Sequence, residues 1–485
     1  MRRIGPWLSL IILALSIRVL LLVWRPFDGL YGQDAFAYYD YALKLRASLM
    51  QGQSVPVFFW PIGFPLHVVL AMATVGVSPF AAQAVSLAAG ALVAPIVYGM
   101  TREVASARAA WLAGAAMAVS GQLLISSLSI MSDATALLWA TLSAFSVVHY
   151  ARTLKWRWFT LAVLTLSLAT ITRWALAILA VPWTTAVLLT WWQNRLKIHW
   201  RSAAFSIVIA VLIGFTVVGG QLLSGSHTGD LRVVGWDLAN VLRRDVVNGD
   251  GVFHYTWPMA VYYAEPVFHP AYLSPLLLPV MVIGAWSLRR ASGAIKSVLL
   301  GWLLIFYLML IGIAWQNPRF MLPMLPPLAV WIGVGYDAAR THSMRSGWRQ
   351  AVTALMVIAL MGTGLWGYRL AADFIDRKDA DLVRVESVAA QMPAGTTVLS
   401  FGLTAMLDHY TSLTVREIYN ETSASLASVL NASTPLYVVI DETNLAEQWA
   451  GKTPQTNVVW LKQHATFTPI GLADPYTLYR VERRP

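Results

Sequence analysis

The chain has 485 residues, 57% of them hydrophobic and only 12% charged, with a mean hydropathy of +0.59. That excludes a soluble enzyme of this size and places the chain among polytopic membrane proteins. Net charge is +11, and the absence of cysteine excludes disulfides, thiolate metal sites and cysteine nucleophiles.

A bilayer core of about 30 Å takes roughly 20 apolar residues per helix. The first such run is 5–24, preceded by Met1-Arg2-Arg3. No small-residue cleavage site follows and Arg18 interrupts the run, so an uncleaved first helix is expected. The first polar loop, Tyr31-Gly32-Gln33-Asp34-Ala35-Phe36-Ala37-Tyr38-Tyr39-Asp40, follows directly. Asp34 therefore sits where a carboxylate meets both water and lipid headgroups. Trp60-Pro61-Ile62-Gly63-Phe64-Pro65-Leu66 then re-enters the bilayer, and the Pro-bounded run from Ile62 to Val77 predicts an interfacial or half-inserted helix. Further spans are expected near 79–100, 109–128, 134–151, 158–172, 174–192, 203–223, 272–288, 297–315, 320–337 and 351–370, about eleven in all. The 22 Trp suit such a chain, because indole rings favour the headgroup zone.

Basic residues orient this map. Alternate loops carry Arg2/Arg3, Arg102/Arg108, Arg152/Lys155/Arg157, Arg195/Lys197/Arg201, Arg289/Arg290/Lys296 and Arg340/Arg345/Arg349. Positive charge stays cytoplasmic. The opposite face then holds the Asp34 loop, the Ser224–Ala271 loop and everything after Leu370. A bacterial inner (plasma) membrane location with an extracytoplasmic C-terminal domain follows.

Charge rises from Asp373-Phe374-Ile375-Asp376-Arg377-Lys378 onward. Short β-type runs follow at 397–400, 436–440, 458–461 and 476–479, with a helical pattern from Asp381 to Gln391. The expected architecture is a helical transmembrane domain over 1–370, with interfacial helices, and a small α/β domain over 371–485. Asn420-Glu421-Thr422 and Asn431-Ala432-Ser433 match the glycosylation sequon, a motif without meaning in a bacterium.

Ionisable residues at membrane depth cost at least ~2.5 kcal/mol at a helix centre and point to function. Arg18, Asp133, Arg173 and Arg319 fall at similar depth on the face that carries Asp34. Taken singly, the arginines could snorkel, and Asp34 or Asp133 could cap a helix. Their convergence instead suggests one site acting on a lipid-borne substrate.

The chemistry fits a sugar on a polyprenyl phosphate. The phosphate leaves as a stable anion and needs cations rather than a general acid, and arginine presents a planar fork matched to its oxygens. An acceptor hydroxyl needs one base within hydrogen-bond reach. Asp34 is the expected base, Arg319 and Arg173 the phosphate clamp, and Asp133 an auxiliary acid that orients the acceptor or helps to hold a divalent ion. Two carboxylates make a thin metal site, so no metal or other cofactor is required. Arg18, Tyr38, Arg243, Arg244 and His269 are further candidates. Arg243 and Arg244, read as helical neighbours, would point apart. Val234-Gly235-Trp236-Asp237 is similar to the Trp-Trp-Asp signature of oligosaccharyltransferases but lacks its flanking residues. No phosphate loop, His-Glu-x-x-His or Gly-x-Ser-x-Gly occurs.

Three motifs carry a family resemblance. Asp34-Ala35-Phe36-Ala37-Tyr38-Tyr39-Asp40-Tyr41-Ala42, Pro61-Ile62-Gly63-Phe64-Pro65-Leu66 and Pro318-Arg319-Phe320-Met321-Leu322-Pro323-Met324-Leu325-Pro326-Pro327-Leu328 are involved. They resemble the first-loop acid, the Pro-x-Gly-Tyr-Pro-Leu element and the Arg-Tyr-x-x-Pro-x-x-Pro helix start of one family. These are the bacterial polyprenyl-phosphate-sugar glycosyltransferases related to protein O-mannosyltransferases and the aminoarabinose transferase, with the GT-C fold. The resemblance implies a first-loop catalytic base, matched by Asp34, and inverting transfer on the outer face. Where many relatives carry an Asp-Glu pair, this chain has Ala35 after Asp34. Implied partners are a polyprenyl-phosphate sugar donor, membrane lipid and an acceptor glycan, lipid or protein, with no nucleic acid. The rival readings are a lipid-linked sugar flippase or polysaccharide transporter, a structural membrane scaffold, and a pyrophosphate-linked oligosaccharide transferase.

Overall fold

The computed structural model describes residues 4–194, 200–223, 235–341, 346–432 and 435–484. Arg2, Arg3, Arg195, Lys197, Val234, Arg345, Ser433 and the start of the Ser224–Ala271 loop lie outside these residues. Two compact units emerge: residues up to Leu242 together with Pro258–Asp373, and Arg243–Trp257 together with residues from Phe374 onward.

The first unit is helical. Its elements are α1 (Gly5–Trp24), α2 (Gln33–Met50), α3 (Gly63–Val75), α4 (Pro79–Arg102), α5 (Ala107–Val119), α6 (Gly121–Leu128), α7 (Ser132–Thr153), α8 (Trp156–Thr172), α9 (Ala180–Gln193) and α10 (Trp200–Leu223). Then come α11 (Met259–Tyr262), α12 (Leu278–Ser287), α13 (Gly293–Lys296), α14 (Trp302–Ile311), α15 (Leu325–Thr341) and α16 (Ser346–Ala389), whose last turns belong to the second unit. Six helical stretches among the described residues are long and apolar enough to cross a membrane, and the bent α5–α6 pair makes a seventh. The chain is an integral membrane protein.

Several expected runs are shorter or interrupted, for identifiable reasons. The run 109–128 bends by 54° at Ser120. There Gly121 lies against Gly367, where an added Cβ would come within 2.7 Å of the Gly367 Cα, and Gln122 N–H donates to the Ala271 carbonyl. A close backbone crossing thus replaces one turn of helix. The run 320–337 begins as a 3₁₀ helix over Pro318–Met324, where Pro323 cannot donate to an α-helical ladder. The run 297–315 starts in a π turn, Ser297–Gly301, and its helix stops at Ile311. Ile62–Val77 forms the short helix α3, with Gly63, Phe64, Pro65, Val68 and Met72 buried.

The second unit is an α/β domain with a five-stranded mixed sheet in the order β4-β3-β5-β7-β6. Its strands are β3 (Thr397–Ser400), β4 (Thr414–Glu417), β5 (Leu436–Ile440), β6 (Ala465–Ala473) and β7 (Tyr476–Arg483). The first three pair in parallel, whereas β7 is antiparallel to both neighbours. Helices α17 (Thr404–Tyr410), α18 (Ser423–Ala432), α19 (Glu442–Glu447) and α20 (Thr453–His464) accompany it. The core gathers Leu399, Ile418, Val438, Ile440, Leu461 and Val481.

Two expectations change here. The run 458–461 lies inside α20, because Val458 and Leu461 are buried at the helical i, i+3 spacing along with Pro454 and Asn457. The hairpin β1 (Asp245–Asn248) and β2 (Gly251–His254), which precedes α11 in sequence, packs with the C-terminal domain. Val252 N–H donates to the Gln448 carbonyl at 2.7 Å, and Gln448 Nε2 donates to the Asp250 carbonyl at 2.8 Å.

Candidate active site

The turn before α2 ends at Gly32, whose φ of +74° suits glycine. This places Asp34 in the first helical turn, where the helix dipole favours a carboxylate. Asp133 occupies the same position on α7, after the extended Met131. Arg173 ends α8 in an extended conformation. Arg319 sits in the first turn of the Pro318–Met324 helix, where the Asn317 side chain accepts its backbone N–H at 3.2 Å.

These four residues, far apart in sequence, meet. Arg319 Nη2 donates to Asp34 Oδ2 at 2.5 Å. Arg319 Nη1 lies 3.9 Å from Asp133 Oδ2 and donates to the Met131 sulfur at 3.4 Å. Arg173 Nη1 pairs with Asp133 Oδ1, and its guanidinium stacks 5.2 Å from the Phe320 ring centroid. The result is a chain of alternating charge: Asp34, Arg319, Asp133, Arg173. The Asp133 side chain is 3% exposed and its Oδ2 has no hydrogen-bond partner, whereas the Asp34 side chain is 27% exposed. One acid is buried and the other is open to an incoming group.

Tyr38, one turn beyond Asp34, shares a hydrogen bond of 3.1 Å with Ser132 Oγ, next to Asp133. Its ring packs among Phe58, Trp60 and Phe64 at centroid distances of 5.2–5.6 Å. Gly63 explains part of the Pro61–Leu66 motif. A Cβ there would lie 2.5 Å from the Ile171 carbonyl oxygen, so glycine lets α3 pass close to the end of α8 that carries Arg173.

Arg18 is fully buried rather than snorkelling, and donates to the Ala14 carbonyl at 2.9 Å and to Ser127 Oγ at 3.1 Å. Arg243 and Arg244 are not helical: they link a 3₁₀ turn, Leu238–Leu242, to β1 and belong to the second unit. His269 Nδ1 accepts the Ala271 N–H at 3.2 Å, and its ring lies edge-on to Tyr272 and Trp366. Trp236 and Asp237 serve packing, with Trp236 Nε1 donating to the Leu308 carbonyl and Asp237 N–H to that of Gly312. Among the described residues no three His, Asp or Glu side chains group as metal ligands. Sequence reasoning missed Ser132 and the Met131 sulfur, the two residues just before Asp133. It also missed Gln83, a polar residue within an apolar span.

The family model for dolichyl-phosphate-mannose-protein mannosyltransferases matches residues 50–224. The fold as a whole is similar to that of ArnT from Cupriavidus metallidurans. The ArnT structure bound to undecaprenyl phosphate aligns with a TM-score of 0.67 at 12% identity, covering 98% of each chain. The apo structure aligns at 0.68 and 12%, covering 99% of this chain and 98% of that one. The Archaeoglobus fulgidus oligosaccharyltransferase in apo form aligns at 0.58 and 12%, covering 95% of this chain and 73% of that one. AglB from the same organism, in complex with an inhibitory peptide and a dolichol-phosphate, aligns at 0.53 and 13%, covering 98% and 74%. Comparison with curated proteins by sequence finds no match. The chain is a glycosyltransferase with the GT-C fold. In this GT-C chain the matched family segment runs from the end of α2 through α10, and so includes Asp133 and Arg173 but neither Asp34 nor Arg319.

Proposed function

We propose that this protein transfers a sugar from a polyprenyl-phosphate donor to a hydroxyl of an envelope acceptor, on the outer face of a bacterial plasma membrane and with inversion. The observation that carries the reading is the four-residue ion chain, in which two arginines and two acids from separate elements converge beside an aromatic cluster. Protein-mannosyltransferase similarity over residues 50–224, and the lipid phosphates bound in the ArnT and AglB structures, support the donor class.

Asp34 takes the proton of the acceptor hydroxyl as its oxygen bonds to the anomeric carbon. The bond from that carbon to the phosphate oxygen breaks, and its electron pair leaves with the polyprenyl phosphate. Arg319 and Arg173 receive this anion. A guanidinium carries five N–H donors in one plane, so each can hold its carboxylate and still offer donors to phosphate. Asp133, whose Oδ2 accepts no hydrogen bond and lies 3.9 Å from Arg319, orients the acceptor. Asp133 could help to hold a divalent ion, which would supply positive charge to the leaving phosphate; the transfer itself needs none. Residues 1–370 form the catalytic domain, and 371–485 an extracytoplasmic domain that supports donor or acceptor binding.

The test is to incubate purified protein with radiolabelled polyprenyl-phosphate sugars and envelope fractions. Label passing to an acceptor, with release of polyprenyl phosphate, is expected. Movement of intact donor across proteoliposome membranes without cleavage would contradict the enzyme and favour a flippase.

A further inference from the structure

The two acids stand in the first turns of α2 and α7, each just after the loop that leads into its helix, from α1 and from α6 respectively, and something must fix their separation. Gln83 on α4 lies between these loops and is 2% exposed. Its Nε2 donates to the Phe27 carbonyl at 3.0 Å and to the Leu128 carbonyl at 2.8 Å. Both N–H bonds of one amide are thus spent on main-chain carbonyls, one in the segment that leads into α2 and one at the last residue of α6, which leads into α7. The loops also bond directly, Ile130 N–H donating to the Gly29 carbonyl at 2.9 Å. Gly29 has φ +87°, and a Cβ there would meet Ile130 at 2.8 Å and the Gln83 side chain at 3.1 Å. One turn along α4, Ser86 Oγ donates to the Met131 carbonyl at 3.1 Å, two residues before Asp133. A primary amide buried in an apolar span is costly unless fully bonded.

We propose that Gln83 is a positioning residue that sets the separation of Asp34 and Asp133, with Gly29 as the partner that permits its close approach. The proposal rests on the reading of Asp34 as base and Asp133 as acceptor-orienting acid. The strut holds the two carboxylate loops but neither Arg319 nor Arg173, which come from other elements. Its loss therefore shifts the acids relative to the arginines. Turnover should suffer while phosphate binding persists, which a general loss of folding cannot produce.

The experiment uses the full-length protein in nanodiscs, with three single variants, Gln83→Met, which keeps length and loses both donors, Gly29→Ala and Asp34→Asn, and the double variant Gln83→Met with Gly29→Ala. Turnover and affinity for a polyprenyl phosphate are measured separately, each per mole of folded protein. Gln83→Met should lower turnover about 10- to 100-fold, the range for a misplacement of ~1 Å, with lipid-phosphate affinity within about twofold of wild type. Gly29→Ala should do the same, and the double variant should lose less than the product of the two, because both act on one contact. Wild-type turnover by folded Gln83→Met, or equal losses in turnover and affinity, would overturn the proposal while an inactive Asp34→Asn left the base assignment standing. An active, well-folded Asp34→Asn would overturn both.

Discussion

At the residue scale the site depends on the different chemistry of arginine and lysine. Arg319 reaches Asp34 through Nη2 and approaches Asp133 and Met131 through Nη1, so one planar group serves three neighbours. A lysine offers a single point of charge and cannot span them. Arg319→Lys should lower donor affinity and turnover together by about 10- to 100-fold, matching the ~1.5–3 kcal/mol of a hydrogen bond to a charged group. Isothermal binding of polyprenyl phosphate alongside a turnover assay checks this; a lysine variant with wild-type affinity would remove Arg319 from the clamp. Tyr38→Phe deletes only the hydroxyl bonded to Ser132 and leaves the ring among Phe58, Trp60 and Phe64. Its effect should stay within about tenfold in turnover, with no change in donor affinity, since a neutral hydrogen bond contributes only ~1 kcal/mol.

At the scale of elements, the acids were legible because each stood in a polar interruption between apolar runs. Arg319 was legible because a Pro-rich helix start surrounds it. The pairing between them was not, since nothing in the spacing of Asp34 and Arg319 reveals that a 3₁₀ turn brings them together. Arg18 looked like the same signal, yet α1 buries it against Ser127, and apolar sequence alone cannot tell a lipid-facing arginine from a buried one. In the C-terminal domain, Val458-Val459-Trp460-Leu461 suited a strand by composition, and only its flanks, with buried Pro454 and Asn457, reveal the helical period. The hairpin did leave a signal in Gly249-Asp250, a glycine-first two-residue turn between the paired Asn248 and Gly251. Gly63 carries a prediction at this scale. Gly63→Ala must push a Cβ into the backbone at Ile171 and Thr172, next to Arg173. Overpacking of this kind costs roughly 1–3 kcal/mol. The melting temperature should fall and donor affinity with it; an alanine variant indistinguishable from wild type in both would show that α8 can yield without moving Arg173.

For the whole molecule, the second compact unit is assembled from two stretches of chain. Gly251 approaches the Gln448 carbonyl so closely that a Cβ would collide with it, and Lys452 Nζ donates to the Asn248 carbonyl at 3.2 Å. A fragment of residues 371–485 should therefore melt lower than the same fragment carrying residues 243–257 on a flexible linker. Equal melting temperatures would show that the hairpin adds nothing to the domain. From the basic loops we propose that this domain lies outside the cytoplasm. A reporter active only outside the cytoplasm, fused to the C-terminus, should be active, and a stable but silent fusion would invert the map.

The central claim is that Asp34 is the base, and one variant tests it most directly. Asp34→Asn keeps the size of the side chain and a hydrogen bond to Arg319 but cannot accept a proton. Turnover with a polyprenyl-phosphate sugar should fall by ~10²–10⁴-fold, while donor binding, measured on the same folded protein, persists. Near-wild-type turnover by well-folded Asp34→Asn would contradict the account and leave Asp133 as the next acid to test.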